Sequence, residues 1–213
     1  YRIHQSLLNK GLHSRMWVNN AQSGDWTISG PNGKWKKAAA QMRRHLIAPA
    51  LKIMQTKNKI LHSPAILPSS WSKKINQSDL DIAHLHWVGA EMASISDIGR
   101  IKKPLVWTLH DMWAFCGAEH ISWDQRYVEG YSRKNRPSDE TGLDINRLTW
   151  NRKLKHWKQP FHVVAVSKWL AECAKSSVVM RDCPITTIPN CLNTNLWKPI
   201  DKALARNLLG LPD

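Results

Sequence analysis

The sequence predicts an α/β fold with a mainly parallel sheet, and three observations carry that expectation. Strand-length apolar runs alternate with helical periods along the chain. The best strands are almost continuously apolar, as a sheet covered on both faces requires. Two of them, 81–87 and 104–110, flank a short capped helix over 94–101, which makes a βαβ unit. With 213 residues there is ample material for a core.

Taken in order, residues 1–10 read as a helix with Ile3, Leu7 and Leu8 on one face and Gly11 as its stop. Residues 13–18 read as a short strand and 19–33 as a loop rich in Asn, Ser and Gly. A long helical stretch over 34–58 carries the stripe Leu46, Ile47, Ala50, Leu51 and Met54, with Pro49 expected to kink or split it. Its other face bears Lys36, Lys37, Arg43 and Arg44. Residues 60–67 form at most an edge segment, broken by Pro64 and Pro68. After the βαβ unit, 116–143 is polar and aperiodic, the signature of a functional or mobile loop. Helix returns over 144–157, strand over 161–166, and Ser167 is placed to cap a helix over 168–176. Residues 185–189 make a last strand and 202–210 a final helix. Since helices lie at both ends, the chain reads as a fragment truncated at each.

Composition removes several classes. Lys and Arg number 31 against 16 Asp and Glu, a net charge of +15. Apolar runs no longer than Val163–Val166 exclude a membrane-spanning helix. The four cysteines show no C-x-x-C spacing, so neither a zinc site nor a disulfide scaffold is suggested. Twelve Trp against three Tyr and two Phe is an unusual aromatic set.

Ligands of an open parallel sheet bind at the carboxyl ends of its strands. Those ends deliver His86, Trp87 and Gly89, then His110, Asp111 and Trp113, then Ser167 and Trp169, then Asn190. His84, His86, His110 and Asp111 could hold a metal, yet no further ligand at fixed spacing completes a site, so no metal is expected. Asp79-Leu80-Asp81 precedes its strand, at the wrong end for ligand work. Neither a Gly-rich phosphate loop nor a G-x-S-x-G elbow is present.

The segments 81–87, 103–113, 164–170 and 188–199 together resemble the N-terminal half of glycosyltransferase family four enzymes, most specifically through Thr108-Leu109-His110-Asp111 and Ile188-Pro189-Asn190. The nearest likeness is to bacterial transferases of polysaccharide biosynthesis. This resemblance implies one Rossmann-like half of a two-domain GT-B enzyme, with helices on both faces of the sheet. Residues 1–198 would be the acceptor-side domain without its first strand, and 199–213 the start of a linker to a donor-binding domain. It further implies a retaining, metal-independent hexosyl transfer from a nucleotide-sugar, acting as co-substrate with no other cofactor, to a glycan or lipid-linked acceptor. His110 matches the family's catalytic histidine, and His86, Trp87, Asp111, Trp113, Glu119, His120, Ser167 and Asn190 would shape the acceptor cleft. The family's glycine after Pro-Asn is Cys191 here, and the donor-holding acidic motif would lie in the second domain. The fragment alone is therefore expected to be inactive.

Charge and tryptophan content also fit a nucleic-acid binder, but no recognisable binding module is visible and nucleic acid is not expected as a partner. A metal-dependent His/Asp hydrolase is the lesser alternative. Lys36, Lys37, Arg43 and Arg44, with Trp35, would suit an anionic membrane surface, and so a cytoplasmic protein peripheral at the inner face of the membrane. A solvated helix face is the plainer reading of the same residues.

Overall fold

A computed structural model describes residues 1–21 and 24–212; Gln22 and Ser23, in the predicted 19–33 loop, and Asp213, at the end of the final segment, lie outside the described residues. The chain divides into two compact units, Trp17–Pro189 and a smaller one combining Tyr1–Met16 with Asn190–Asp213. The smaller unit begins with α1 (Arg2–Asn9). Here Arg2 Nη1 donates to the Cys191 carbonyl at 3.1 Å, and His4 Nδ1 meets Ser14 Oγ at 2.7 Å.

The strand predicted over 13–18 is only the two-residue β1 (Met16–Trp17), and a second two-residue strand, β2 (Ile28–Ser29), lies within the predicted 19–33 loop. The helical stretch expected over 34–58 is split in two as anticipated at Pro49, into α2 (Lys34–Leu46) and α3 (Ala48–Ile53), and ends five residues early. Pro49 explains the split. Inside one continuous helix it would remove a backbone donor, whereas in the first turn of α3 that donor is not needed. Helix then stops at Ile53 because β3 (Met54–Gln55) pairs antiparallel with Gly142 and Thr141. The 60–67 segment forms no strand; His62 makes one isolated bridge to Glu119. A further short helix, α4 (Trp71–Asn76), was not foreseen.

The main sheet confirms the predicted class. After β4 (Ala83–Leu85) come α5 (Ile95–Gly99) and β5 (Leu105–Leu109). Ser94 and Asp97 close a capping box on α5, satisfying two amides that the helix start leaves open. The predicted loop follows, containing α6 (Arg126–Glu129) and β6 (Thr141–Gly142), then α7 (Ile145–His156), β7 (His162–Ala165), α8 (Lys168–Ser176) and β8 (Ile185–Thr187). α9 (Lys202–Leu208), capped by Asp201, belongs to the smaller unit. The strands β4-β5-β7-β8 lie in that order and are all parallel, with Leu85 opposite Trp107 and Leu109 opposite Ala165. All four therefore present their carboxyl ends along one edge.

Under the sheet, Trp107, Trp113, Trp157 and Phe161 pack edge-on or tilted, with ring centroids 5.3–6.2 Å apart. Other indoles are exposed, among them Trp26, Trp35, Trp87, Trp123 and Trp169. The 116–143 segment, expected as a polar functional or mobile loop, is largely packed into the body. Cys116–His120, Arg126, Tyr127, Tyr131 and Glu140 are all buried. Its interior contains several buried polar groups that pair with one another, Arg126 with Glu140 and Tyr131 with Glu119, so hydropathy alone reads it as surface.

Candidate functional site

The carboxyl ends of β4 and β5 bring together the residues that sequence reasoning placed there. His86 Nδ1 lies 3.1 Å from His110 Nε2, so the two facing nitrogens hold one proton between them. Burial and the neighbouring His84 and His110 rings pull His86 down to about 4, which leaves it neutral at pH 7. The His84 ring lies tilted against His86 with centroids 4.4 Å apart, and its Nε2 meets Thr108 Oγ1 at 2.8 Å. Among the described residues, no three His, Cys, Asp or Glu side chains are grouped as metal ligands.

Asp111 is the hub of the second half. Its Oδ2 accepts from Trp87 Nε1 at 3.0 Å and from His120 Nδ1 at 2.6 Å, and its Oδ1 accepts the Trp113 amide at 3.0 Å. Burial alone would raise this carboxyl, but the hydrogen bonds from His120, Trp113 and Trp87 outweigh it and hold Asp111 below the ordinary carboxylate value. Beyond it, His120 Nε2 meets Ser63 Oγ at 2.8 Å, and Ser63 Oγ accepts the Ala90 amide at 2.9 Å. The Ser63–His120–Asp111 chain has the connectivity of a hydrolase triad. Yet Ser63 is 1% exposed and its oxygen already carries an amide, so no substrate carbonyl can reach it.

The turn after β4 is strained, with Ala90 at φ 50° and Glu91 at φ 62°. Glu91 holds it in place: its buried carboxylate accepts from the amides of Ala65, Ile66 and Leu67 at 2.6–2.9 Å. Arg152 fixes the same segment from α7, donating to the Pro64 and Ala65 carbonyls at 2.8 Å. Gly89 is required by close approach, since a Cβ there would sit 2.8 Å from both His120 Cε1 and Trp87 Cζ2.

Other predicted residues are placed differently. Trp113 is 3% exposed and donates Nε1–H to the Ser63 carbonyl at 2.7 Å, so it supports the site from below. Glu119, expected in the cleft, is enclosed in the interior, where Tyr131 Oη donates to its Oε1. Burial raises its carboxyl. Ser167 spends its oxygen on the Leu170 amide at 3.1 Å as the cap of α8. Asn190 is exposed and belongs to the smaller unit. Arg43 leaves the expected basic patch: its guanidinium donates to the carbonyls of Glu91, Pro68 and Leu67 at 2.6–2.9 Å, docking α2 on the body. Lys36, Lys37 and Arg44 stay exposed.

Ser63 and Lys153 were missed. Ser63 had no signal, because its partners are remote in sequence. Lys153 had one: it continues the buried row Ile145, Thr149 at helical spacing, where a lysine is out of place. A family model described as Glycosyltransferase Family 4 matches residues 27–196, most of the chain. No curated protein and no solved structure gives a match.

Proposed function

The chain belongs to glycosyltransferase family 4, and on that premise we propose that it moves a hexose, with retention and without a metal, from a nucleotide-sugar to a glycan or lipid-linked acceptor in bacterial polysaccharide biosynthesis. Residues 1–198 act as the acceptor-side half of a GT-B enzyme, and 199–213 lead towards the donor-binding half. The observation carrying this reading is His110, exposed at the carboxyl end of β5 and backed by the neutral His86. An imidazole so oriented can take a hydrogen bond from a sugar hydroxyl and stabilise charge developing at the reacting carbon. In the complete gene product, His110→Ala is expected to lower kcat/KM for transfer about 100-fold. Transfer at near wild-type rate would remove His110 from the chemistry.

The same protein is proposed to work at the inner face of the cytoplasmic membrane. No residue of α2 is buried, Trp35 is 90% exposed, and Met42 and Leu46 lie on its side of the helix at helical spacing. Lys36, Lys37 and Arg44 supply the charge for an anionic surface, at about 1 kcal/mol each. Co-sedimentation with phosphatidylglycerol-containing vesicles should be strong, fall with salt, and drop about 100-fold when all three become Ala. Equal binding to pure phosphatidylcholine vesicles would remove the anionic surface from this account, and binding to neither would remove the membrane.

A further inference from the structure

Trp87 is 45% exposed at the rim of the crevice, yet its indole is held on every other side. Its N–H is bonded to Asp111, its ring lies 5.6 Å from the His120 ring at 36°, and Gly89 gives both rings room. His120 is in turn locked between Asp111 and Ser63. The buried Ser63–His120–Asp111 chain thus has a use other than nucleophilic chemistry: it fixes the orientation of one exposed aromatic face. An indole already immobilised loses little further freedom when a ligand lies against it.

The surroundings define the ligand. The concavity beside Trp87 is lined by His86, Gly89, His110, Asp111 and His120, with core groups beneath, and among the described residues its lining includes no lysine or arginine. None of those lining residues is a lysine or arginine that could pair with a phosphate, and the Asp111 carboxylate opposes one. What suits an apolar face bordered by imidazoles and one carboxylate is a neutral ring with an apolar C–H face and hydroxyls at its edge. A pyranose has that build.

We propose that the open indole face of Trp87 is the platform on which a pyranose ring of the acceptor stacks, with Asp111 and His110 taking hydroxyls at its edge. The word acceptor rests on the glycosyl-transfer reading; the platform itself does not. A test uses the indole N–H signal of Trp87 in 15N-labelled protein, assigned by its loss in Trp87→Phe. Methyl glucopyranoside, mannopyranoside, galactopyranoside and N-acetylglucosaminide are titrated to roughly 10 mM, which covers millimolar Kd values. At least one should shift the signal saturably, while inorganic phosphate and pyrophosphate leave it in place. Trp87→Ala should weaken that pyranoside roughly tenfold, with Trp87→Phe between it and wild type. Phosphates shifting the signal, or no pyranoside doing so, overturns the platform. If pyranosides shift it but the complete gene product transfers from no nucleotide-sugar, the platform stands and the transferase reading falls. If transfer proceeds and Trp87→Ala leaves the acceptor KM unchanged, the platform falls alone.

Discussion

Lys153→Met should lower the stability of the protein by about 3–5 kcal/mol, because several buried carbonyls lose their donor at once. Lys153 is fully buried, and its ammonium donates to three carbonyls, those of Trp113, Cys116 at 3.0 Å and Gly117 at 2.7 Å. The Trp113 ring lies 4.2 Å from the same nitrogen. Methionine fills similar space but offers no donor, so three interior oxygens lose their partner, each worth about 1–3 kcal/mol. Relief of the lysine's own desolvation offsets part of this. Urea unfolding with an unchanged m-value measures the loss; a midpoint equal to wild type would show that the carbonyls find other partners. The pH dependence adds a second check. Burial pulls Lys153 from 10.5 to about 7, so between those values the unfolded chain binds the extra proton. Wild-type stability should then rise with pH across that window, and the Met variant should lose that rise. The consequence for the site is direct, because the 113–117 turn joins His110 and Asp111 to His120.

The contrast between Lys153 and the strands shows what could be read from sequence. β5 and β7 were legible because their apolar residues are contiguous and buried, with Trp107, Leu109, Val163 and Ala165 all 2% exposed or less. Ser167 was legible as a cap because it bonds only three residues ahead. The cleft was legible in part, since His86, Trp87, His110 and Asp111 follow strands whose direction the pattern reveals. Ser63 comes from a segment with no regular structure and reaches His120 across 57 positions, a pairing no local pattern encodes. Glu119 was placed in the cleft by the resemblance, and the Tyr131 hydroxyl that holds it inside is twelve residues away, beyond any local pattern. α4 was missed because Trp71-Ser72-Lys73-Lys74 is short and polar, and Ser70 gives it no side-chain cap. Non-local polar pairing is what hydrophobic periodicity cannot see.

The strongest such pairing should show the same scale of effect. Arg126 and Glu140 side chains are each 4% exposed and meet as a two-pronged fork, Nη1 to Oε2 at 3.0 Å and Nη2 to Oε1 at 2.8 Å. Asp124 takes the Arg126 Nε at 3.0 Å, and Asn146 of α7 donates to Glu140 Oε1 at 3.2 Å. Opposite charges raise the Arg126 guanidinium further despite its burial, so it stays charged throughout. Glu140→Ala leaves that cation buried with the 34% exposed Asp124 as its ion-pair partner and the Tyr131 ring 4.8 Å away, and about 3–5 kcal/mol should be lost. Glu140→Gln, which keeps an acceptor but not the charge, should lose less. Removing both charges together, as Arg126→Met with Glu140→Leu, should recover much of the loss, because the buried cation is gone as well. Amide exchange localises the effect: in Glu140→Ala the amides of α6 should open well before those of β5 and β7. If the double variant is no more stable than Glu140→Ala, the fork is packing rather than charge compensation. In that event the polar interior of 116–143 would have to be held by Lys153 and Tyr131 alone.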